Sequence, residues 1–597
     1  MARSRRRKKG KNPSGEPQAA AVDAAPRAET PPRTATPRKP AVELPVFDLE
    51  ERETMRLSFK QRHLLRKALL AVAALGVPAL FFVWKPGFPG AETAEVAVKA
   101  VFAVSILALV LAREFTPSLR RGRAGAALVI AAILGVGIYF NLGAFHGHAV
   151  VHYWEQFHYT LGAKYFPELG HDGLYAASIE AQRVSYPDQP VQSQIRDLRT
   201  NVIMHTDAPE SAAHRREVRE RFSAERWRDF VTDHRHFLDA NSRGYLAGIR
   251  RDHGFNPPPP WTFMARLFAG WPTLDRESLT LLGMIDMAIL LTLFVAIFKT
   301  YGARLGCVAL AFFGANYAGR YYWVGGGLLR EDWLAAVVIG ICLLERRRFR
   351  WAGALFGYAT AVRVFPVLFL FGPAVLALRA LLRRERPRWI FDLGVGFALS
   401  LTVALAAGCL VGRGPAAWTD FAEAISLHRG TWLTNNVGLD NVLLYGPETY
   451  ELKLVNPTLP DPRTPWKAHM DQTKVERRPV LLAVKALLLL VLAAAVWRMD
   501  LARSAMLGFV VVFVMVLTTC YYWQMLLLAP LLRDRFLLYG VFAINLGLYG
   551  LHFTERSFEM RYGVLSWALL VLFVAYLAPK AWATFRSPTE VQEPATA

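Results

Sequence analysis

The sequence predicts an all-helical protein that crosses a membrane many times. Of its 597 residues, 53% are hydrophobic and 12% are aromatic, which excludes a wholly disordered chain and argues against an ordinary soluble enzyme. The apolar residues fall in long runs, such as 68–83 and 480–496, which we interpret as membrane spans. Lysine and arginine cluster between these runs, so the net charge of +22 indicates orientation in a bilayer rather than nucleic-acid binding.

Residues 1–60 form a basic tail without apolar periodicity. The tail opens on a run of arginine and lysine and then becomes rich in Pro, Ala and Thr, a composition typical of disorder. No apolar segment follows the basic start at the distance expected of a signal peptide. We therefore expect a cytoplasmic tail that is retained, with anionic lipid or nucleic acid as the alternative partner of its basic run.

The apolar runs that follow predict about 12–14 transmembrane segments. A long polar stretch at 142–278 comes after the third span, and a second polar stretch covers 412–478. The predicted segments are 65–84, 96–112, 124–141, 279–298, 303–319, 331–344, a pair of short helices within 351–382, 391–411, 479–497, 503–519, 521–532, 535–552 and 563–580. Four parts result: the tail, two extra N-terminal spans (61–123), a membrane core with both loops (124–582) and a cytoplasmic C-terminal tail (583–597).

The basic loops predict the orientation of these spans. If the N-terminal tail is cytoplasmic, every short loop on that side carries Arg or Lys, as the positive-inside rule requires. The crossings are consistent only if 351–382 crosses as two short helices, or enters and returns, with a turn near Arg363 and Pro366. Both termini then lie inside, and both large loops face outward. We expect a multi-pass protein of the inner (plasma) membrane. The basic loops are 113–123, 299–304, 345–350, 383–388, 498–503 and 533–535.

Neither the cysteines nor the histidines predict a metal site. The four cysteines all lie in or beside apolar runs without CxxC spacing, so we interpret them as buried apolar residues. His146, His148 and His152 lie close together, but their spacing is loose and no defined further ligand accompanies them. We predict no cofactor; a divalent metal is the alternative.

A carboxylate stands at the mouth of the third predicted span. Glu155 has histidine and aromatic neighbours, a setting that suits a general base with a pKa raised by desolvation. A solvated loop acid is the alternative. Asp172 is the second candidate for the base, and His158 and Lys164 are further polar residues of the same stretch.

Two arginines are candidates for binding an anion. Arg330 follows three glycines, which let the backbone approach a ligand closely, and Glu331 and Asp332 can hold the arginine or a sugar hydroxyl. An internal salt bridge of Arg330 is the alternative. Arg363 has apolar neighbours at the predicted tip between two short helices, where a lone guanidinium needs an anionic partner such as a lipid phosphate. A structural ion pair is the alternative there.

Polar and aromatic residues of the outer loops complete the candidate surface. Asn256 precedes four consecutive prolines, which form a stiff extended stretch. The amides and rings of the second loop suit sugar hydroxyls, and a tyrosine pair stands at the outer end of a late span, where an aromatic belt is the alternative explanation. These further candidates are His428, Asn435, Asn436 and Tyr522.

The order of these motifs resembles that of the GT-C superfamily of integral-membrane glycosyltransferases. It is most similar to the branch of bacterial α-mannosyltransferases and arabinofuranosyltransferases. Two differences are that Glu155 stands where the family usually has Asp, and that two extra spans precede the core. The similar motifs run from the acid at 155 to Gly173-Leu-Tyr175, then through Asn256-Pro-Pro, Gly325-Gly-Gly-Leu-Leu-Arg330, Arg363-Val-Phe-Pro366, the loop 418–436 and the late Tyr/Trp cluster.

The resemblance implies a hexosyl- or pentosyltransferase that takes its sugar from a polyprenyl-phosphate-linked donor. The acceptor would be a hydroxyl of a cell-envelope glycan or glycolipid on the outer face. Glu155 would take its proton, and Arg363 and Arg330 would stabilise the leaving lipid phosphate. The pocket for the sugar or the acceptor would be shaped by His158, Lys164, Asn435 and Asn436. The lack of a nucleotide-binding glycine fingerprint fits a lipid-linked donor.

Two other functions stay open at this point. A flippase or transporter of lipid-linked glycans would place charged groups along a path through both leaflets. An inactive GT-C-like scaffold would instead use its outer loops to bind a partner. We expect the bilayer, the donor and the acceptor as partners and no nucleic acid, and the sequence leaves the oligomeric state open.

Overall fold

A computed structural model describes residues 91–115, 123–147, 149–428, 431–555 and 557–586. These residues are overwhelmingly helical, with only two short two-stranded sheets, so the prediction of an all-α fold is confirmed. The predicted tail 1–60, the span 65–84 and most of the C-terminal tail 583–597 lie outside the described residues.

Within the described residues, six helices are long and apolar enough to cross a membrane, and three further apolar helices are shorter. The multi-pass prediction is therefore confirmed. The helices of the membrane region are Ala91–Phe115, Arg123–Tyr139, Arg276–Ala315, Asp332–Glu345, Phe349–Arg363, Phe365–Leu370, Phe371–Leu382, Arg388–Gly408, Arg478–Val496, Leu501–Met506, Gly508–Met515, Arg535–Thr554 and Phe558–Arg586.

Two predicted breaks between spans occur where the sequence places them. The helix Arg276–Ala315 is interrupted at Gly302, whose φ of +78° is accessible to glycine at little cost. The helix Phe349–Arg363 ends at Val364, and Pro366 stands in the first turn of the next helix. Val364 has a φ of +62°, which is strained for a β-branched residue. Arg363 is therefore the last residue of a helix that ends abruptly.

The segment predicted as a span at 521–532 folds differently. It forms a 3-10 helix, Cys520–Leu527, followed by the single turn Leu528–Leu531. The residues just before it are extended because Thr518–Thr519 pairs in antiparallel fashion with Asn436–Val437 of the second large loop. This pairing uses the backbone groups that a continuous helix would need.

Glycines bring neighbouring membrane helices into close contact. A β-carbon at Gly357 would lie 2.6 Å from the carbonyl oxygen of Phe397, and one at Gly353 of the same helix would lie closer still to the carbonyl oxygen of Leu393. Small residues allow such backbone approach between membrane helices. The contact fixes the helix Phe349–Arg363 against Arg388–Gly408 and so places Arg363 at its end.

The first large loop is a folded helical region. Side chains of Ser223 and Ser242 accept backbone hydrogen bonds at the N-termini of two of its helices, and Asp275 does the same at the start of the membrane helix Arg276–Ala315, a strong preference of these residue types. A short hairpin pairs Gln194–Asp197 with Val202–His205. The loop helices are Asn141–Gly143, Phe166–Leu169, Leu174–Ser185, Pro209–Glu220, Ala224–Ala240, Arg243–Ile249 and Pro259–Ala269; those of the second loop are Ala416–His428, Leu439–Leu444, Glu451–Leu454 and Thr464–Glu476; the short helix Tyr321–Val324 lies between the membrane helices Arg276–Ala315 and Asp332–Glu345.

The helix that carries Glu155 has an irregular middle. Its successive pieces are an α-helical turn, Tyr153–Glu155, a π-helical stretch, Gln156–Leu161, and a second α-helical turn, Gly162–Lys164. We call these residues the acid helix. π-Helical turns are rare and occur frequently at functional sites. The stretch begins directly after Glu155.

Candidate active site

Glu155 and Arg330 form a buried ion pair. The Arg330 Nε lies 2.7 Å from Glu155 Oε2, and both side chains are almost fully buried. Gly327 makes this approach possible, because a β-carbon there would lie 2.8 Å from Arg330 Cγ and 3.2 Å from Glu155 Cβ. Gly327 therefore packs against the acid helix, and the Gly326 carbonyl accepts a hydrogen bond from Gln156 Nε2 at 2.9 Å. The internal salt bridge considered from the sequence is present, and its partner is Glu155.

Burial changes the acidity of Glu155. Desolvation raises the pKa of its carboxyl from 4.5 to about 7, although the Arg330 and Arg363 guanidinium groups oppose the rise. A carboxyl with this pKa is close to half ionised at neutral pH. It therefore has the acidity that suits a general base.

Aromatic rings and a second carboxylate hold Arg330 in place. The guanidinium carbon lies 4.0 Å from the centre of the Tyr159 ring and 5.6 Å from that of Tyr521, distances that allow cation–π attraction. The backbone N–H of Arg330 donates to both oxygens of Asp286, at 3.0 and 2.8 Å, and the N–H of Glu331 donates to Asp286 Oδ1 at 3.3 Å. Asp286 thus anchors the turn that presents Arg330.

Sequence reasoning missed Asp286. It lies inside the predicted span 279–298 and is buried. An ionisable residue within an apolar run is a functional candidate by default. That signal was available in the sequence and would have identified the residue.

Arg363 lies beside this pair without an acidic partner of its own. Its guanidinium carbon is 5.5 Å from the centre of the Trp261 ring, and its Nη2 donates to the Leu329 carbonyl at 3.5 Å. The Trp261 indole donates to the same carbonyl at 2.9 Å. In the described part of the chain, no carboxylate lies within 4.0 Å of Arg363, and its buried Nε has no hydrogen-bond partner. The structural ion pair considered from the sequence is therefore absent among these residues.

An aromatic wall borders the arginines. The Tyr522 ring centre lies 5.6 Å from that of Trp333 and 5.1 Å from that of Phe365. Next to this wall, Asp332 is buried and accepts hydrogen bonds from the Trp333 backbone at 2.7 Å and the Tyr358 hydroxyl at 3.0 Å. The predicted residues Asp332 and Tyr522 therefore lie in one neighbourhood with Arg363.

The second large loop reaches the same region. Asn436 pairs with Thr519 in the short sheet, and the Asn435 carbonyl accepts the Cys520 N–H at 2.9 Å. These contacts are one and two residues before Tyr521. The two predicted asparagines are thereby brought next to the tyrosines that border Arg330.

Asp172 and Lys164 are engaged elsewhere. Both oxygens of Asp172 accept from Arg221, each at 3.0 Å, and this pairing lowers the pKa of Asp172 although burial opposes the effect. A carboxyl held ionised in this way is a weak base. Lys164 is buried and lies 2.7 Å from Asp233 Oδ2. Both are structural ion pairs within the first loop.

His158 belongs to a buried network behind the acid helix. Its Nε2 lies 2.7 Å from the Tyr175 hydroxyl and its Nδ1 lies 2.9 Å from the Trp154 carbonyl. The Gly254 N–H donates to the same tyrosine at 2.9 Å. Burial lowers the pKa of His158, so the ring is neutral and accepts the tyrosine proton through Nε2. The network fixes the acid helix against the segment before Asn256.

The last two predicted residues lie near this segment. Asn256 is half-buried in the extended stretch that leads into the helix Pro259–Ala269, whose Trp261 contacts Arg363. The His428 ring centre is 5.9 Å from that of His253. Burial lowers the pKa of His428 to about 4, so it is neutral at pH 7.

Histidine and acid clusters in the described residues do not build a metal site. There, no three His, Cys, Asp or Glu side chains are grouped so that they could hold an ion. The histidines at 146, 148 and 152, which the sequence does not predict to bind a metal, lie partly outside the described residues, because His148 is among those not described. The His146 and His152 rings stack with centres 4.3 Å apart, and the His146 Nε2 lies 2.7 Å from the Gly325 carbonyl.

The fold and the site define a class: an all-helical membrane protein with a buried carboxylate–arginine centre and a second arginine lacking an acidic partner. The family model of glycosyltransferase family 87 matches residues 333–530, about a third of the chain, and indicates a membrane glycosyltransferase of GT-C type. The match includes Arg363, both asparagines of the second loop and Tyr522, whereas Glu155 and Arg330 precede it. No curated protein and no solved structure matches the chain.

Proposed function

We propose that the protein transfers a hexosyl or pentosyl unit from a polyprenyl-phosphate donor to a hydroxyl of a cell-envelope glycan or glycolipid. The observation that carries this proposal is Arg363, a half-buried guanidinium that has no carboxylate within 4.0 Å among the described residues and whose Nε has no hydrogen-bond partner there. Its other two nitrogens donate to the Val362 and Leu329 carbonyls, so the charge has no direct counter-ion. The planar fork of a guanidinium matches the geometry of a phosphate.

Glu155 is the base of the proposed reaction. Its ionised carboxylate takes the proton of the acceptor hydroxyl, and the hydroxyl oxygen attacks the anomeric carbon of the donor. The bond from that carbon to the phosphate oxygen breaks, and the lipid phosphate leaves with the electron pair. A pKa of about 7 supports this role, because a base is most effective when its pKa is near the working pH.

The two arginines have different roles in this proposal. The Nε of Arg330 is engaged by Glu155, so Arg330 positions the base and adds positive charge to the site. Arg363 binds the phosphate and stabilises its growing charge during transfer. Asn435, Asn436 and Tyr522 would then contact the sugar.

The proposed site faces the outer side of the plasma membrane, with both termini in the cytoplasm. The distribution of basic loops supports this orientation. Donor and acceptor would therefore meet outside the cytoplasm, where a lipid-linked sugar replaces a nucleotide sugar as the donor.

Native mass spectrometry of the detergent-purified protein tests the donor class. Wild type is expected to retain a polyprenyl-phosphate or its sugar conjugate, and Arg363→Ala is expected to lose it. Arg350→Ala is the matched control, because Arg350 lies in the first turn of the same helix and pairs with Asp392 at 2.8 Å. If a panel of added polyprenyl-phosphate sugars binds neither protein, or binds wild type and Arg363→Ala equally, the phosphate role is wrong.

A transfer assay with the donor that binds tests the chemistry. Glu155→Gln keeps the size of the side chain and removes the base, so the rate should fall by about 10²–10⁴-fold, while donor binding persists. Unchanged transfer by Glu155→Gln would exclude Glu155 as the base. A large lipid-linked oligosaccharide bound to wild type, without any transfer, would instead favour a flippase.

A further inference from the structure

A cavity of about 670 Å³ lies in the first large loop, away from the acid helix. It is bordered by the end of the helix Leu174–Ser185, the loop that follows, the end of Ala224–Ala240 and the helix Arg243–Ile249. Its volume falls in the range of small-ligand sites, about 300–1,000 Å³. None of the residues assigned to the proposed reaction lines it.

The walls of this cavity are rich in side-chain amides. Gln182, Gln189, Gln192 and Asn241 line it together with the ring of Tyr186. The protein holds one side of two of them, because Gln189 Oε1 accepts from Arg243 at 3.0 Å and Asn241 Nδ2 donates to the Phe237 carbonyl at 3.0 Å. Gln189 keeps its NH₂ group as a donor and Asn241 keeps its oxygen as an acceptor, groups that match the hydroxyl groups of a sugar. The tyrosine ring adds an apolar face against which the C–H side of a sugar ring can pack.

A buried arginine fixes two of these amides. Arg250 is 1% exposed, and its Nη1 donates to Gln182 Oε1 at 2.6 Å and to Gln192 Oε1 at 3.4 Å. Its Nε donates to the Ser178 hydroxyl at 2.8 Å. Both amide oxygens therefore point toward the guanidinium, and the NH₂ group of Gln182 stays available as a donor to a ligand.

The charge of Arg250 is consistent with its role in orienting these amides. Among the described residues no carboxylate lies within 4.0 Å of it, and burial lowers its pKa to about 9. A fold that keeps this cation without a counter-ion bears an energetic cost. The guanidinium donates instead to the Gln182 and Gln192 oxygens, which fixes the orientation of these two amides at the cavity wall.

One helix that borders the cavity contacts the residue next to the proposed base. The Tyr245 hydroxyl, on the helix that borders the cavity, accepts a hydrogen bond from the Trp154 backbone at 3.0 Å. The Trp154 ring also contacts that helix at Gly248, where a β-carbon would lie 3.1 Å away. Trp154 immediately precedes Glu155. One helix therefore separates the cavity from the residue that would activate the acceptor.

We propose that this cavity binds a saccharide unit of the acceptor, at a site separate from the reaction centre. The inference rests on the proposed function for the identity of the acceptor as a glycan, and on the cavity itself for the binding. A sugar held here anchors the acceptor chain while a more distal hydroxyl reaches Glu155. Arg250 is a positioning residue, because it acts through the amides that it orients.

Gly244, on the rim of the cavity, provides a sharp test. A β-carbon at this position meets no atom within 4 Å, so Gly244→Trp can fill the mouth without a backbone clash, and Gly244→Ala is its matched control. The probes are mannan, arabinan, galactan and glucan tetrasaccharides, titrated calorimetrically into the full-length protein in nanodiscs. Gln189→Ala removes an exposed rim amide as a second variant.

We expect at least one tetrasaccharide to bind wild type. Gly244→Trp should raise its Kd at least tenfold, Gln189→Ala should raise it severalfold, and Gly244→Ala should leave it within twofold. The inference is overturned if no probe binds wild type, or if Gly244→Trp and Gln189→Ala both bind as wild type does. Glu155→Gln should bind normally. If that variant also transfers sugar normally, the proposed reaction fails while the cavity site stands.

Discussion

The acidity of Glu155 predicts opposite pH dependences for activity and stability. Its pKa is raised from 4.5 to about 7 by burial, a difference that corresponds to about 3 kcal/mol favouring the protonated form in the folded protein. If the ionised carboxylate is the base, the transfer rate should rise with pH. About a tenth of the molecules are ionised at pH 6 and about nine-tenths at pH 8, so the rate should increase about ninefold across this interval.

The free energy of unfolding should instead fall as the pH rises. Because the folded state binds this proton more tightly than the unfolded state does, the contribution of Glu155 is fully present below about pH 4.5 and is lost as the pH rises to about 7. For a chain of this length, about 3 kcal/mol corresponds to about 3 °C in unfolding temperature. Glu155→Gln lacks the titration, so it serves as the reference at every pH.

The assays are a transfer rate and a thermal unfolding scan, each taken from pH 4.5 to pH 8.5 on wild type and Glu155→Gln. The wild type should lose about 3 °C relative to the variant as the pH rises from 4.5 to 7.5. A rate that stays flat between pH 6 and pH 8 would refute the role as a base. Unfolding temperatures that run parallel in the two proteins would refute the raised pKa.

Three further predictions concern the packing around the site. Gly327→Ala places a β-carbon 2.8 Å from Arg330 Cγ. This variant should slow transfer by about 10–100-fold, because the ion pair is misplaced. Gly394→Ala is the control, because a β-carbon there meets no atom within 4 Å, and it should transfer normally in the same assay. Arg330→Met removes the cation that opposes the effect of burial on Glu155, so the pKa of that carboxyl should rise further and the pH profile of transfer should move to higher pH; an unchanged profile would contradict the buried pair. Lys164→Met breaks the pair with Asp233 and should lower the free energy of unfolding by about 3–5 kcal/mol, while the KM for the donor stays within twofold, and a large rise in KM alone would restore a binding role for Lys164.

The helical fold could be predicted because its signals are local. Long apolar runs predict spans wherever they occur, and glycine or proline marks the ends. The turn after Arg363 follows from Pro366 alone, and the break at Gly302 falls in a loop predicted from its basic residues. The segment 521–532 differs from its prediction. The residues just before it are extended because they pair with Asn436, a residue far away in the chain.

The candidate site could be predicted only as a set of residues. Glu155 and Arg330 are each visible as charges at the edge of apolar runs, but their pairing depends on a contact across 175 positions of sequence. Lys164 lies in the same stretch as Glu155 but forms its ion pair with Asp233 of the first loop. The hydrophobic periodicity of the sequence does not predict which residue each of them pairs with, because the partner depends on how the first loop folds back.

The π-helical stretch Gln156–Leu161 determines where the segment between Glu155 and Lys164 can change in length. In a regular helix each residue turns the chain by about 100°, so deleting one residue there would rotate everything that follows. A π-helical turn accommodates one residue more than an α-helical turn, so deleting one residue from this stretch would relax it to a regular helix. Glu155 and Lys164 would keep their directions, and Lys164 would still reach Asp233. The segment can therefore lose one residue within the π-helical stretch, but not within its α-helical turns, without breaking the pair that ties it to the first loop.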